Sequence, residues 1–422
     1  MFKFFHKFVK RIGPGFITGA ADNDPSGIVT YTQVGAQFGL GQLWTAIWCL
    51  PFLVITQEMV ARIGMVTGEG IIASLRKYHS KTLMWIFVIL LFIANSLNIG
   101  ADLGAMADAA RLLVPRMPYV VLVIVFTVFT LILEIYIPYK KYADILKWLS
   151  ISLFGYIITA FLVTTNWISA FHHALIPTIS FDTKFMMGLV AIFGTTISPY
   201  LFVWQANQQV EEEVERGRTS LASRQGSTKK EIKTMQQDIG WGMAISQFIT
   251  LCIILTASSV FYTHGIINIS TTADAASALK PIAGNFSFLL FTIGVIGTGL
   301  LAIPILSASA SYALSDALCI ETGLYKKLQQ ARGFYLIIAI ATFIGLTINF
   351  LGLEPIKVLY WTSVLNGLIM PILLAIIIVI ANNREAMGEW RNSRISNIMG
   401  IGTFVIMSVT AMLFISMSFL SR

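Results

Sequence analysis

The residues best able to do chemistry in this chain are Asp22, Asp24 and Ser26, set around a proline in the run Asp22-Asn23-Asp24-Pro25-Ser26-Gly27. Carboxylates and hydroxyls are hard oxygen donors, better suited to Mg²⁺, Ca²⁺ or Mn²⁺ than to copper or zinc. The run interrupts an otherwise small and apolar stretch from Gly13 to Gly39. Pro25 has no N–H and its ring crowds the carbonyl four residues back, so the Ala21 C=O loses its helical partner. In hydrocarbon such a carbonyl must meet protein, water or an ion. Carboxylates at that depth mark a site by default; the bland alternative is a proline kink whose aspartates face a wet crevice.

A second run, Gly194-Thr195-Thr196-Ile197-Ser198-Pro199-Tyr200, repeats the pattern. Pro199 frees the Thr195 carbonyl in the same way. The candidate metal donors are therefore the Asp24 carboxylate, the Ala21 and Thr195 carbonyls, and the Ser26 and Ser198 hydroxyls, with Gly27 leaving space beside them. Asp22, Asp102, Tyr200, Gln205, Ser363 and Asn366 are candidates for an ion pathway. No Cys or His lies near either break. An organic solute with its carboxylate on the half-helix N-termini, driven by Na⁺ or H⁺, is the competing reading. Asp22 and Asp24 would crowd that carboxylate, whereas a sodium ion fits the same oxygens.

These residues need a membrane to position them. Of 422 residues, 56% are hydrophobic and 12% charged, against roughly 25% charged in soluble domains. Apolar runs long enough to cross a bilayer recur along the chain. Eleven spans are expected, near 13–39, 43–65, 84–111, 119–138, 143–165, 184–209, 239–262, 286–315, 333–353, 357–381 and 396–419. Residues 1–12 form a basic tail without a small-residue cleavage site, which reads as a retained cytoplasmic segment. With that tail inside, 21 Lys and Arg fall in inside segments and six outside or at outer span ends. That bias matches the positive-inside rule and places the C-terminus outside. The formal charge of +8 is thus loop charge and calls for no nucleic acid. The default location is an inner or plasma membrane.

The breaks fall in the first and sixth spans. Broken helices at corresponding places in two halves point to a transporter site between inverted repeats. Residues 13–165 make the first five-helix repeat, 184–381 the second, inverted one, and 396–419 an added eleventh helix. The stretch 211–238, rich in Glu, Arg, Lys, Ser and Gln, is a solvated cytoplasmic connector with some helical character. Loops 166–183 and 263–284 face outside, and His172-His173 is surface. Cys49, Cys252 and Cys319 form no CxxC, which excludes a zinc motif or a disulfide framework. No HExxH, P-loop or GxSxG appears, so the chain does not read as an enzyme. A channel is disfavoured because paired broken helices suit alternating access.

Smaller features have structural readings. Small-xxx-small spacings at Gly15/Gly19, Gly35/Gly39, Gly64/Gly68 and Gly100/Gly104 predict close helix packing. Glu58 and Arg62 are four apart and predict an ion pair near the inner end of the second span. Asn95, Asn98, Thr362, Ser363 and Asn366 either line the ion path or bond helix to helix. Trp44, Trp48, Trp85 and Trp167 fit an interfacial belt. Asp102 and Asp108, six apart, point to different faces.

Gly13-Pro14-Gly15, Asp24-Pro25 and Gly35-Ala36-Gln37-Phe38-Gly39 together resemble the first span of the Nramp family of divalent-metal transporters. The resemblance continues through Gln57-Glu58-Met59-Val60-Ala61-Arg62-Ile63-Gly64, Thr67-Gly68 and Ala101-Asp102-Leu103, and extends over most of the chain. It implies a LeuT-like fold and proton-linked uptake of Mn²⁺ or Fe²⁺, the metal being cargo rather than cofactor. The sequence departs from the family pattern where ligands are concerned. The usual DPGN reads Asp24-Pro25-Ser26-Gly27, so the metal-binding Asn is Gly27. The usual MPH reads Ser198-Pro199-Tyr200, a second family histidine is Gln205, and a glutamate expected after Asp102 is Ala105. Asp24 and the Thr195 carbonyl carry over; the Asn, Met and His roles do not. These departures resemble the Nramp-related branch linked to magnesium transport. Losing the thioether removes the preference for softer metals, and small residues leave room for Mg²⁺ to keep waters. With no histidine inside a span, proton coupling is expected to be weak or absent. The sequence assigns no oligomeric state.

Overall fold

The computed structural model describes residues 14–137, 153–164, 166–269 and 271–420. The expected tail and most of the fifth span, 143–152 and 165, lie outside them. The described elements are helical. In chain order the main helices are α1 (Pro14–Ala21), α2 (Pro25–Phe38), α3 (Trp44–Thr67), α4 (Ile71–Tyr78), α5 (Lys81–Leu113), α6 (Tyr119–Tyr136), α7 (Phe154–Val163) and α8 (Trp167–Leu175). They continue as α9 (Thr183–Thr196), α10 (Pro199–Glu215), α11 (Lys229–Val260), α12 (Ser287–Leu318), α13 (Arg332–Ile348), α14 (Pro355–Asn382) and α15 (Arg394–Leu420).

Eight helical segments among the described residues are long and apolar enough to cross a membrane, against the eleven expected. The difference has three sources. The first span is cut into α1 and α2, of 8 and 14 residues. Only ten residues of the fifth are described, as α7. The ninth, α13, has 17 residues. Both interrupted runs break where proline dictates: Pro25 and Pro199 each start the second half-helix, the one helical position that does not need an N–H.

Two layers of contact hold the broken helices. On one side α11 runs along both α1 and α2; on the other, α9 packs on α14 and α10 lies between α3 and α12. Glycine makes the approaches close. A Cβ on Gly19 would stand 2.4 Å from the Gly242 carbonyl of α11, and one on Gly194 2.0 Å from the Ser363 carbonyl of α14. Of the small-residue spacings, Gly15, Gly19, Gly35, Gly64 and Gly100 meet neighbouring helices, whereas Gly39 and Gly68 end their own helices at positive φ. Glu58 and Arg62 pair at 3.0 Å with side chains 12% and 7% exposed. Gln236 of α11 donates to Glu58 at 2.7 Å and Arg62 donates to Asn392 at 2.5 Å, so the pair ties α3 to α11 and to the segment before α15.

The connector expected at 211–238 is shorter than the composition suggests. α10 continues to Glu215 and α11 begins at Lys229. A capping box sets that start: the Thr228 hydroxyl accepts from the Glu231 N–H at 3.2 Å, and the Glu231 carboxylate accepts from the Thr228 N–H at 2.7 Å. The helices run on past the apolar segment because their ends are fixed by caps rather than by hydropathy. His172 is exposed as expected, within α8 rather than a plain loop. The Trp44 and Trp48 indoles donate to the carbonyls of Thr178 and Leu175.

Candidate metal site between two broken helices

The site forms where α1 ends, α2 begins, α9 ends and α10 begins. Asp24 is the N-cap of α2, with extended φ and ψ of −67° and 174°. Its Oδ1 accepts from the Gly27 N–H at 2.8 Å and from the Ser26 hydroxyl at 2.6 Å. Capping locks the carboxylate at the positive end of α2. Its Oδ2 points across the gap to α10, where the Tyr200 hydroxyl donates to it at 3.1 Å. The same hydroxyl lies 3.3 Å from the Ala21 carbonyl, the group freed by Pro25. Two of the expected donors therefore converge on one point, marked by the Tyr200 hydroxyl. Asp24 and Tyr200 are each 1% exposed and Ala21 is fully buried.

The second break contributes less directly. The Ser198 hydroxyl does not reach Asp24. It folds back onto its own half-helix, donating to the Thr195 carbonyl at 2.5 Å, with the Gly194 carbonyl at 3.2 Å. A serine hydroxyl finds the carbonyls three and four residues back before anything across a gap. The Thr195 carbonyl thus keeps one lone pair for another partner. The Thr195 hydroxyl stands 3.4 Å from Ser26, the closest side-chain link between the breaks on that side.

Space beside Gly27 was expected and is not found. A Cβ there would meet the Asp22 carbonyl at 3.2 Å, the Tyr31 ring at 3.3 Å and the Thr195 hydroxyl at 3.4 Å. Tyr31, Thr195 and the Asp22 carbonyl fill the volume that small residues alone would leave open.

The pathway candidates divide into three groups. Asp22 turns from Asp24 towards α11, where the Ser246 hydroxyl donates to its Oδ2 at 2.5 Å while Oδ1 has no partner. Asn23 follows it, donating to Ser246 at 2.9 Å. Asp102, fully buried on α5, has no hydrogen-bond partner at either oxygen. Gln205 accepts from Thr18 at 2.5 Å and joins α10 to α1. Ser363 accepts from Thr30 at 3.0 Å and joins α14 to α2. Asn366 is buried on α14. Asn95 donates to the Leu306 carbonyl, a helix-to-helix bond of the kind expected. Asp108 sits apart from Asp102, bonded to Thr272.

Sequence reasoning missed three residues that complete the surroundings. Tyr31 bonds Thr196 at 2.9 Å and so braces α2 against the end of α9. Ser246 holds Asp22 and Asn23. Ser309 of α12 donates to the Tyr200 carbonyl at 2.9 Å. Tyr31 was within reach, because it lies seven residues beyond Asp24 on one helical face; Ser246 and Ser309 carry no local signal.

Among the described residues, no three His, Cys, Asp or Glu side chains gather as a metal cluster. A cation here would rest on one carboxylate with carbonyls and hydroxyls. That donor set is oxygen throughout, which suits a hard divalent ion.

Comparisons with known proteins show the family and the fold. The divalent metal cation transporter MntH of Caldanaerobacter subterraneus is 25% identical over 403 residues, 94% of this chain and 90% of that protein. The Yersinia pestis protein of the same name is 24% identical, covering 96% and 95% of the two chains. Among solved structures, a manganese transporter of Eremococcus coleocola superposes with a TM-score of 0.74 at 18% identity, over 98% of this chain and 87% of that one. The inward-facing form of Mhp1 gives 0.51 at 14% identity, over 97% and 91%. These two likenesses are of fold, and they make this fold LeuT-like. The model of the family described as natural resistance-associated macrophage protein-like matches residues 15–417. The chain therefore belongs to the Nramp family of multi-pass membrane transporters, which move divalent metals and are not enzymes.

Proposed function

We propose that this chain carries Mn²⁺, Mg²⁺ or both across an inner or plasma membrane by alternating access, with the ion bound between the two helix breaks. The observation that supports it most is the convergence of the Asp24 carboxylate and the Ala21 carbonyl on one buried point, faced by the start of α10. Asp24 is the charged ligand, Ala21 and Thr195 supply carbonyls, and the Ser26 and Ser198 hydroxyls and the turn at Gly27 complete the shell. The ion reaches it past Asp22, Asp102, Tyr200, Gln205, Ser363 and Asn366. Neither broken run carries a Cys, Met or His in its own sequence, which favours hard ions over the softer transition metals. The two five-helix halves, 13–165 and 184–381, rock about this point, with the N-terminus in the cytoplasm.

Proton coupling is weak or absent in this reading, since among the described residues neither Asp22 nor Asp102 bonds to Asp24. Uptake into proteoliposomes tests the whole proposal. Mn²⁺ should enter, excess Mg²⁺ should compete, and Asp24→Ala should abolish entry. Unchanged uptake by Asp24→Ala would sink the site. Inhibition by amino acids, with no effect of divalent metals, would restore the organic-solute symporter.

A further inference from the structure

A second polar cavity lies farther along the same two helices that meet at Tyr200. Ser309 touches the Tyr200 carbonyl, fixing α10 against α12 at the level of the candidate site. Seven residues on from each stand Asn207 and Asp316. Seven residues are nearly two turns, so both keep the same faces and lie about 10 Å farther along. They line a cavity of about 430 Å³ that also includes Glu69, Gly70 and Glu211. It sits at the end of the bundle that carries Arg224, expected to be cytoplasmic.

Two side-chain oxygens meet in this cavity, one of them buried without a partner. Asn207 is 5% exposed; its amide N–H donates to the Val203 carbonyl at 2.9 Å, and its Oδ1 is turned towards Gly70. Asp316 Oδ2 is buried and unbonded. Both aim at the same spot beside Gly70, where an added Cβ would be 2.6 Å from Asn207 Oδ1 and 2.9 Å from Asp316 Oδ2. The missing side chain at Gly70 lets both oxygens pack against its backbone and so brings them together at the cavity wall. Arg76 and, after it, Glu69 lie close enough for their charges to act on Asp316, and Glu69 has no ion pair among the described residues.

The other charges facing the cavity are already engaged. Arg76 donates to the Asp316 backbone carbonyl at 2.6 Å and to Cys319. Arg224 donates to the Thr219 carbonyl, and Lys326 pairs with Glu321. Glu211 takes the Tyr312 hydroxyl and the Leu324 N–H. What remains is the pair of carboxylates, Glu69 and Asp316, with one positive charge from Arg76 beside them, and an amide oxygen. This is too few ligands for a dehydrated ion, and a suitable set for one that keeps its waters, as Mg²⁺ does.

We propose that this cavity is a second divalent-cation site, where Asn207, Asp316 and Glu69 hold a partly hydrated Mg²⁺ or Mn²⁺ moving between the central site and that end of the bundle. The inference rests on the reading that the chain carries such ions. Its test is a Mn²⁺ titration of the purified full chain, followed by the electron paramagnetic resonance signal of the free ion. Wild type should bind two ions, Asp24→Ala and Asp316→Asn one each, and the double variant none. The Ala73 N–H of α4 also bonds Asp316, so Asp316→Asn could loosen that helix. Asn207→Asp avoids the difficulty by adding a ligand charge: in the Asp24→Ala background it should tighten the remaining ion about tenfold. Loss of all binding in Asp24→Ala, or titrations that neither Asp316→Asn nor Asn207→Asp alters, would overturn the second site. If Asp24→Ala instead leaves both uptake and stoichiometry intact, the central site fails and not the cavity.

Discussion

Replacing Tyr200 by phenylalanine removes one hydroxyl and nothing else, and the structure gives the effect a sign. That hydroxyl has one proton, shared between Asp24 Oδ2 at 3.1 Å and the Ala21 carbonyl at 3.3 Å. A cation that takes these two oxygens as ligands must first displace it. Hydrogen bonds to charged acceptors contribute about 1.5–3 kcal/mol net. Both distances here exceed the usual O–H···O range, so the lower part applies, about 1.5–2 kcal/mol. Tyr200→Phe should then bind Mn²⁺ about 10- to 30-fold more tightly. Without metal, Asp24 Oδ2 and the Ala21 carbonyl are left unbonded, so the variant should melt at lower temperature than wild type. Added Mn²⁺ should recover more of that loss, because ligand binding to the folded state stabilises it by mass action. Calorimetric titration in detergent and melting with and without Mn²⁺ read both effects. A tenfold fall in affinity would refute the reasoning, since it would make the hydroxyl a ligand rather than a competitor.

Other expectations follow from the same geometry. Restoring the family's asparagine by Gly27→Asn should destabilise the protein by about 1–3 kcal/mol, because the Cβ already meets three neighbours within 3.4 Å; an unchanged melting temperature would show that Tyr31 yields freely. Glu58→Ala leaves Arg62 buried without its carboxylate and removes the bond from Gln236. A loss of about 3 kcal/mol is expected, read as a lower melting temperature, and no loss would mean that the pair is idle. Mn²⁺ uptake should not acidify the vesicles, in wild type or in Asp102→Asn. Metal-driven acidification of vesicles that this substitution abolishes would instead establish proton coupling.

What could be read from the sequence was local. Pro25 and Pro199 declare their breaks because a missing N–H acts within one turn. Asp24, one residue before Pro25, is thereby forced to the start of α2. Glu58 and Arg62 are legible for the same reason, being one turn apart. Tyr200 was placed on the ion pathway, but its bond to Asp24 spans 176 positions and no local pattern announces it. Ser198 was expected to offer its oxygen to the ion; its hydroxyl proton goes to the Thr195 carbonyl at the end of α9, which leaves its lone pairs for a cation. The space expected at the breaks was inferred from the small residues Gly27 and Ser198, whereas Tyr31, Thr195 and the Asp22 carbonyl decide the volume beside Gly27. The extent of α10 and α11 was hidden by polarity, although Thr228 and Glu231 spell a capping box in the sequence itself.

The most direct test of the central claim is to locate the ion. Crystals grown with Mn²⁺ and measured at the manganese absorption edge should show an anomalous peak bonded to the Asp24 carboxylate and the Ala21 carbonyl, with the Tyr200 hydroxyl displaced. That peak should vanish in Asp24→Ala. A manganese peak elsewhere in the bundle, with the Tyr200 hydroxyl still on Asp24, would contradict the account.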